Sequence, residues 1–156
     1  MINLSRFVYH PGYNYSVWGF EKSHPFDSQR YKRVYCKIVN KKIIEKGKYL
    51  KPAPPSRSLL IEQMSPIYLF RLCYGFEVCK LIEGKEWWMP GWIYRWRILN
   101  PMLLATEGSI LATCVALKLG WAVNLSGGFH HASFTSGEGF CIYPDISLMV
   151  HYLQTR

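Results

Sequence analysis

Thr106-Glu-Gly-Ser-Ile-Leu-Ala-Thr-Cys-Val-Ala-Leu-Lys-Leu-Gly-Trp-Ala-Val-Asn-Leu-Ser-Gly-Gly-Phe-His-His-Ala-Ser133 decides how this chain folds. Its first part has apolar residues at Ile110, Leu111, Cys114 and Val115, the spacing of one helical face, and ends at Gly120. Trp121–Leu125 follows at once as a short apolar run, the signature of a buried strand, and breaks at Ser126-Gly-Gly128. A helix feeding straight into an apolar strand and then a glycine loop is the repeating unit of an α/β chain with a parallel sheet.

The flanks fit the same class. Arg6–Tyr9 reads as a strand and His10–Asn14 as a turn. Tyr31, Val34, Tyr35, Ile38 and Ile43 share one helical face within Asp27–Lys46, with Gly47 as the stop. Lys51–Ser56 holds three prolines and must be loop. Ser65-Pro66 opens a helix running towards Gly84. Trp87–Trp96, broken by Pro90-Gly91, is expected to be irregular, and Asp145 to cap a final helix. With no internal repeat and no linker, length and patterning alone suggest a single domain over residues 1–156.

Composition narrows the function classes. The chain has 156 residues, 49% hydrophobic and 19% charged, enough apolar content for a core and too much for a disordered segment. Apolar runs such as Ile110–Leu119 are too short for a membrane span, and Met1–His10 lacks the apolar stretch of a signal peptide. No membrane partner is expected. The five cysteines form no Cys-x-x-Cys pair, so neither a disulfide framework nor a cysteine zinc knuckle is signalled. Only Asp27 and Asp145 are aspartates, so a metal site built from several of them cannot be completed within these residues.

The net charge of +9 is concentrated. Eleven of the 19 Lys and Arg lie between Lys22 and Arg57. Such a segment is either a phosphate-binding surface or a solvated helix face; no nucleic-acid motif accompanies it, so direct nucleic-acid binding is not expected.

The chemistry sits in Asn124–Ser133. Ligands of open α/β sheets bind beyond the carboxyl ends of parallel strands, where this loop lies. Gly127 and Gly128 let the chain turn sharply, and His130 and His131 follow. Imidazole titrates near neutrality, so either can move a proton in a hydrolytic reaction. On an extended loop they would point to opposite sides, one towards substrate and one deeper. Taken alone, the pair also fits a surface or metal-binding pair.

Its neighbours separate these readings. Gly127-Gly-Phe-His-His-Ala-Ser133, followed by Gly139-Phe-Cys-Ile-Tyr-Pro-Asp-Ile146, resembles the signature of the zinc-dependent histone deacetylases, and among them the class IV branch. Trp121–Asn124, Pro101–Leu111, Val8–Asn14 and Gly19–Asp27 extend the resemblance over nearly the whole chain. It is thin between Lys37 and Trp96, where Gln63-Met-Ser65 stands in place of the family's usual Val-His-Thr.

The resemblance implies a three-layer arginase/deacetylase-like fold, with residues 1–156 as the N-terminal portion of the domain, truncated before the metal-bearing strands. It implies hydrolysis of acyl-lysine amides, with His131 as general base and His130 as its more buried partner. Gly139 and Phe140 would line the acyl-lysine tunnel, and Arg30 would lie below the site. The zinc ligands of the family are absent from this sequence, so the chain alone is expected to be inactive. Partners implied are acyl-lysine substrates such as histone tails, and co-repressor proteins, in chromatin regulation in the nucleus or cytoplasm. The alternative is a non-catalytic short isoform that binds protein or nucleic acid through its basic helix.

Overall fold

β1 (Phe7–Val8) and β2 (Val123–Asn124) pair in parallel, Phe7 opposite Val123 and Val8 opposite Asn124. The coordinates, a computed structural model, describe residues 5–16, 27–53, 57–84 and 89–155. Gly19–Pro25, Pro54–Ser56 and Trp87-Trp88 lie outside the described residues. On the other side of β1, Leu50 donates to the Phe7 carbonyl at 2.9 Å and accepts from the Tyr9 amide at 3.0 Å. β1 is thus flanked on both sides and Val8 is fully buried, whereas among the described residues β2 pairs with β1 alone. The parallel pairing agrees with the α/β expectation. Trp121–Leu125 is shorter and wetter than a buried strand, with Trp121 50% and Val123 39% exposed.

Between the strands run α1 (Arg30–Asn40), α2 (Arg57–Gln63), α3 (Pro66–Arg71), α4 (Gly75–Leu81), α5 (Gly91–Tyr94) and α6 (Asn100–Leu119); α7 (Asp145–Gln154) follows β2. α1 is shorter than expected. Lys42 takes a left-handed conformation (φ 57°) and the Ile43 amide closes back on the Ile38 carbonyl at 3.0 Å, so the chain turns off before Gly47. The helix expected from Ser65 to Gly84 is two, because Tyr74 is extended and lets Gly75 pass against the Met89 carbonyl, space a Cβ would fill.

The largest departure is Trp87–Trp96. From Gly91 it is helical: α5, a wide π turn over Arg95–Leu99 and α6 form one 29-residue helix ending at Leu119. Pro90 and Gly91 sit at its start, where a proline needs no helical N–H and therefore initiates rather than breaks. The wide turn ends just before Pro101, whose missing N–H interrupts the regular ladder. Gly120 (φ 87°) stops the helix as expected. By length and composition this helix is apolar enough to cross a bilayer, which the short runs of the sequence conceal. In the fold it packs on β1, β2 and α7, burying Met102, Ala105, Thr106 and Ile110.

Aromatic residues fill much of the interior. Tyr9 stacks on Tyr35 (centroids 4.4 Å apart, planes 9° apart) and meets Tyr13 and Tyr49 edge-on. α1 lies on this cluster through Tyr31 and Tyr35 and leaves Lys32, Arg33 and Lys37 in solvent. That is the solvated basic face. Leu148 of α7 is fully buried, and His151 bonds Glu62 of α2 at 2.8 Å.

Two outcomes follow. Leu148→Ala leaves a cavity under α7 and is expected to cost about 2–5 kcal/mol in chemical denaturation. His10 Nδ1 accepts the Gly12 amide at 2.9 Å, and burial, with Lys51 adding, lowers its pKa below the ordinary 6.5. A depressed histidine contributes stability that is present above the unfolded-state value and lost as pH falls. Thermal melts should therefore show a decline below about pH 6.5 that His10→Asn, which keeps an acceptor, diminishes.

Candidate active site

One buried carboxylate shapes the glycine turn. Asp145, 1% exposed, accepts the Gly128 amide on Oδ2 at 2.7 Å and the Phe129 amide on Oδ1 at 2.8 Å. The Ser109 hydroxyl of α6 donates to Oδ2 at 2.7 Å. Three charge-assisted bonds offset the cost of taking a carboxylate out of water. Asp145 was expected to cap α7. It lies instead at the first helical position, and its side chain serves the loop rather than its own helix. The reason is spatial: α7 starts within hydrogen-bond reach of the Gly128 and Phe129 amides of the turn.

Gly127 (φ 90°) and Gly128 (φ 76°) are both left-handed, and a Cβ on Gly127 would overlap the Ser109 hydroxyl. Phe129 is buried and anchors the turn. The His130 amide then bonds back to the Gly128 carbonyl at 2.9 Å, and the Ala132 amide to the Phe129 carbonyl at 3.1 Å. This tight turn corrects the expectation of an extended loop. Both imidazoles are exposed, their centroids 4.0 Å apart and planes tilted by 45°. His130 Nδ1 lies 3.0 Å from the Gly128 carbonyl. A carbonyl only accepts, so Nδ1 carries the proton in this contact.

The other expected residues gather nearby. A Cβ on Gly139 (φ 52°) would meet His131 Cδ2 at 3.7 Å, so the glycine lies alongside that ring. Phe140 holds a left-handed backbone (φ 66°), costly for an aromatic residue, with its amide fixed on the Leu81 carbonyl at 3.0 Å. Its ring stacks on Tyr15, centroids 6.1 Å apart. Arg30, at the start of α1, bonds the Tyr31 hydroxyl at 3.1 Å and lies over that ring. Its charge reaches Tyr15 and Cys141. Burial pushes both of those groups up, while Arg30 and, for Cys141, the backbone of His131 pull the other way.

Sequence reasoning missed Ser109 and Tyr15. Ser109 looks like one more small residue in a helix, since its partner is far along the chain. Tyr15 closes a Tyr-Asn-Tyr run whose only signal was composition. Among the described residues no three His, Cys, Asp or Glu side chains converge as metal ligands, and Asp145 is committed to its three donors. The zinc implied by the sequence resemblance does not fit these residues.

Comparison with known proteins gives this arrangement a family. A model described as the histone deacetylase domain matches residues 24–156. Histone deacetylase 2 of Arabidopsis thaliana is 34% identical over 150 residues, covering 96% of this chain and 39% of that protein. An uncharacterized protein of Picosynechococcus is 28% identical, with 96% of this chain and 47% of that protein covered. The acetoin utilization protein AcuC of Bacillus subtilis is 24% identical, covering 97% and 40%. The chain thus spans less than half the length of these curated relatives. With the family match running from residue 24 to 156, and the paired histidines on the glycine turn of a parallel α/β chain, this protein belongs to the histone deacetylase family and shares its arginase/deacetylase fold.

Proposed function

We propose that this chain carries the histidine and tunnel-wall part of an acyl-lysine hydrolase site. The observation that carries the reading is the grouping of His131, Gly139 and Phe140 beside one another on turns fixed by Asp145 and Leu81. Phe140 and Gly139 offer an aromatic face and a side-chain-free backbone, suited to an acyl-lysine stem and its amide. An exposed imidazole at His131 is placed to accept the proton of an attacking water and return it to the leaving amine. His130, with Nδ1 on the Gly128 carbonyl, lies beside that ring, centroids 4.0 Å apart.

Family membership implies a metal, which would polarise the acyl carbonyl; among the described residues no three His, Cys, Asp or Glu side chains converge to hold one. The reading is accordingly that a polypeptide of these 156 residues binds acyl-lysine without hydrolysing it. Histone tails are the proposed substrate class, co-repressors the proposed protein partners, and the nucleus or cytoplasm the proposed compartment. The exposed basic face of α1 supports a second reading, a docking surface for an acidic protein, with binding that weakens steeply with salt.

Titration with an Nε-acetyl-lysine peptide followed by NMR separates these readings. The expected result is shifts at His131, Gly139 and Phe140 that unmodified peptide does not reproduce, with no acetate released whether or not zinc is added. Phe140→Ala is expected to weaken binding by about tenfold. Shifts confined to α1, or identical for both peptides, would contradict the site; hydrolysis with bound zinc would contradict the claim of silence.

A further inference from the structure

A chain of hydrogen bonds runs from the turn after β1 to the glycine turn that precedes the histidines. The Tyr13 hydroxyl donates to Asn124 Oδ1 at 2.9 Å. Asn124 Nδ2 donates to the Ser109 hydroxyl oxygen at 3.2 Å and to the Ala105 carbonyl at 3.0 Å. Ser109 donates in turn to Asp145, whose two oxygens hold the Gly128 and Phe129 amides. Along this path the Tyr13, Asn124 and Ser109 donors each point towards the carboxylate, so each bond polarises the next, while Asn124 also donates to the Ala105 carbonyl, which lies 3.4 Å from the Ser109 hydroxyl as well.

The geometry points to Tyr13, Asn124, Ser109 and Asp145 acting as one positioning unit that sets the attitude of His130 and His131 without touching them. Its functional meaning rests on the proposed role of His131; its existence does not. Two glycines keep room for it. A Cβ on Gly108 would overlap the Tyr13 hydroxyl and meet Asn124 Oδ1 at 2.7 Å, while one on Gly127 would overlap the Ser109 hydroxyl and meet Asp145 Oδ2 at 2.7 Å. Tyr13 is 1% exposed, so no water replaces its donation. The unit joins four separate parts of the fold: the turn after β1, β2, α6 and α7.

Ser109→Ala and Tyr13→Phe remove one link each, at the middle and the far end. Thr113→Val is the control: it deletes a hydroxyl one turn along the same helix, bonded to the Ser109 carbonyl at 2.9 Å and to Met149 of α7, outside the unit. The readouts are hydrogen exchange at Gly128 and Phe129 and the ring resonances of His130 and His131 in the whole chain. Ser109→Ala is expected to speed exchange at both amides by about tenfold and to move both rings. Tyr13→Phe should do the same to a smaller extent, and Thr113→Val should do neither, at a matched loss of melting temperature.

Histidine signals that respond to Ser109→Ala no more than to Thr113→Val would overturn the inference. If Ser109→Ala does not fold, Tyr13→Phe decides alone, and unchanged rings there are equally fatal. Failure of acetyl-lysine peptide to bind, with these responses intact, sinks the functional reading and leaves the positioning unit standing.

Discussion

A carboxylate sealed from water has to find donors, and Asp145 finds them in the backbone of a loop seventeen residues upstream. That requirement organises the rest of the site. Gly128 and Phe129 must present their amides to one point, which forces the preceding backbone into left-handed conformations and explains the two glycines. The turn that results leaves its next residues, both histidines, on the outside with their rings together. Asp145 also starts α7, so the helix that packs on α6 and the loop of paired histidines meet at one residue.

The second wall is built by different means. Phe140 is held left-handed by a bond to the end of α4 and by stacking on Tyr15, so its place depends on two elements distant in sequence. Arg30 supplies the positive charge behind it, carried in by α1, whose own seat is the tyrosine cluster around Tyr9. The tyrosines seat the basic helix, with Tyr35 stacked on Tyr9 and Tyr31 edge-on to Tyr13. The remaining lysines of α1 stay in water.

Legibility followed the range of the interactions. The helix before β2, its glycine stop and the loop of paired histidines were readable because their determinants are neighbours in the chain. Gly139, Phe140 and Arg30 were readable only through a family resemblance; nothing in their spacing shows that His131 lies beside Gly139. Asp145 was misread because a helix-initial aspartate carries the same local signal whether it caps its helix or reaches across to a loop. The long helix from Gly91 was misread because Pro90-Gly91 breaks a helix in its middle and begins one at its edge. The wide turn before Pro101 then carries the helix on, accommodating the N–H that the proline lacks.

The central claim is the bond between one carboxylate and two loop amides. Scalar couplings transmitted through hydrogen bonds, from the Gly128 and Phe129 amide nitrogens to the Asp145 side-chain carboxyl carbon, measure it directly. Both couplings present, with both amides slow to exchange, is the result this account requires. Absent couplings, with the two amides exchanging as fast as exposed loop positions, would contradict it.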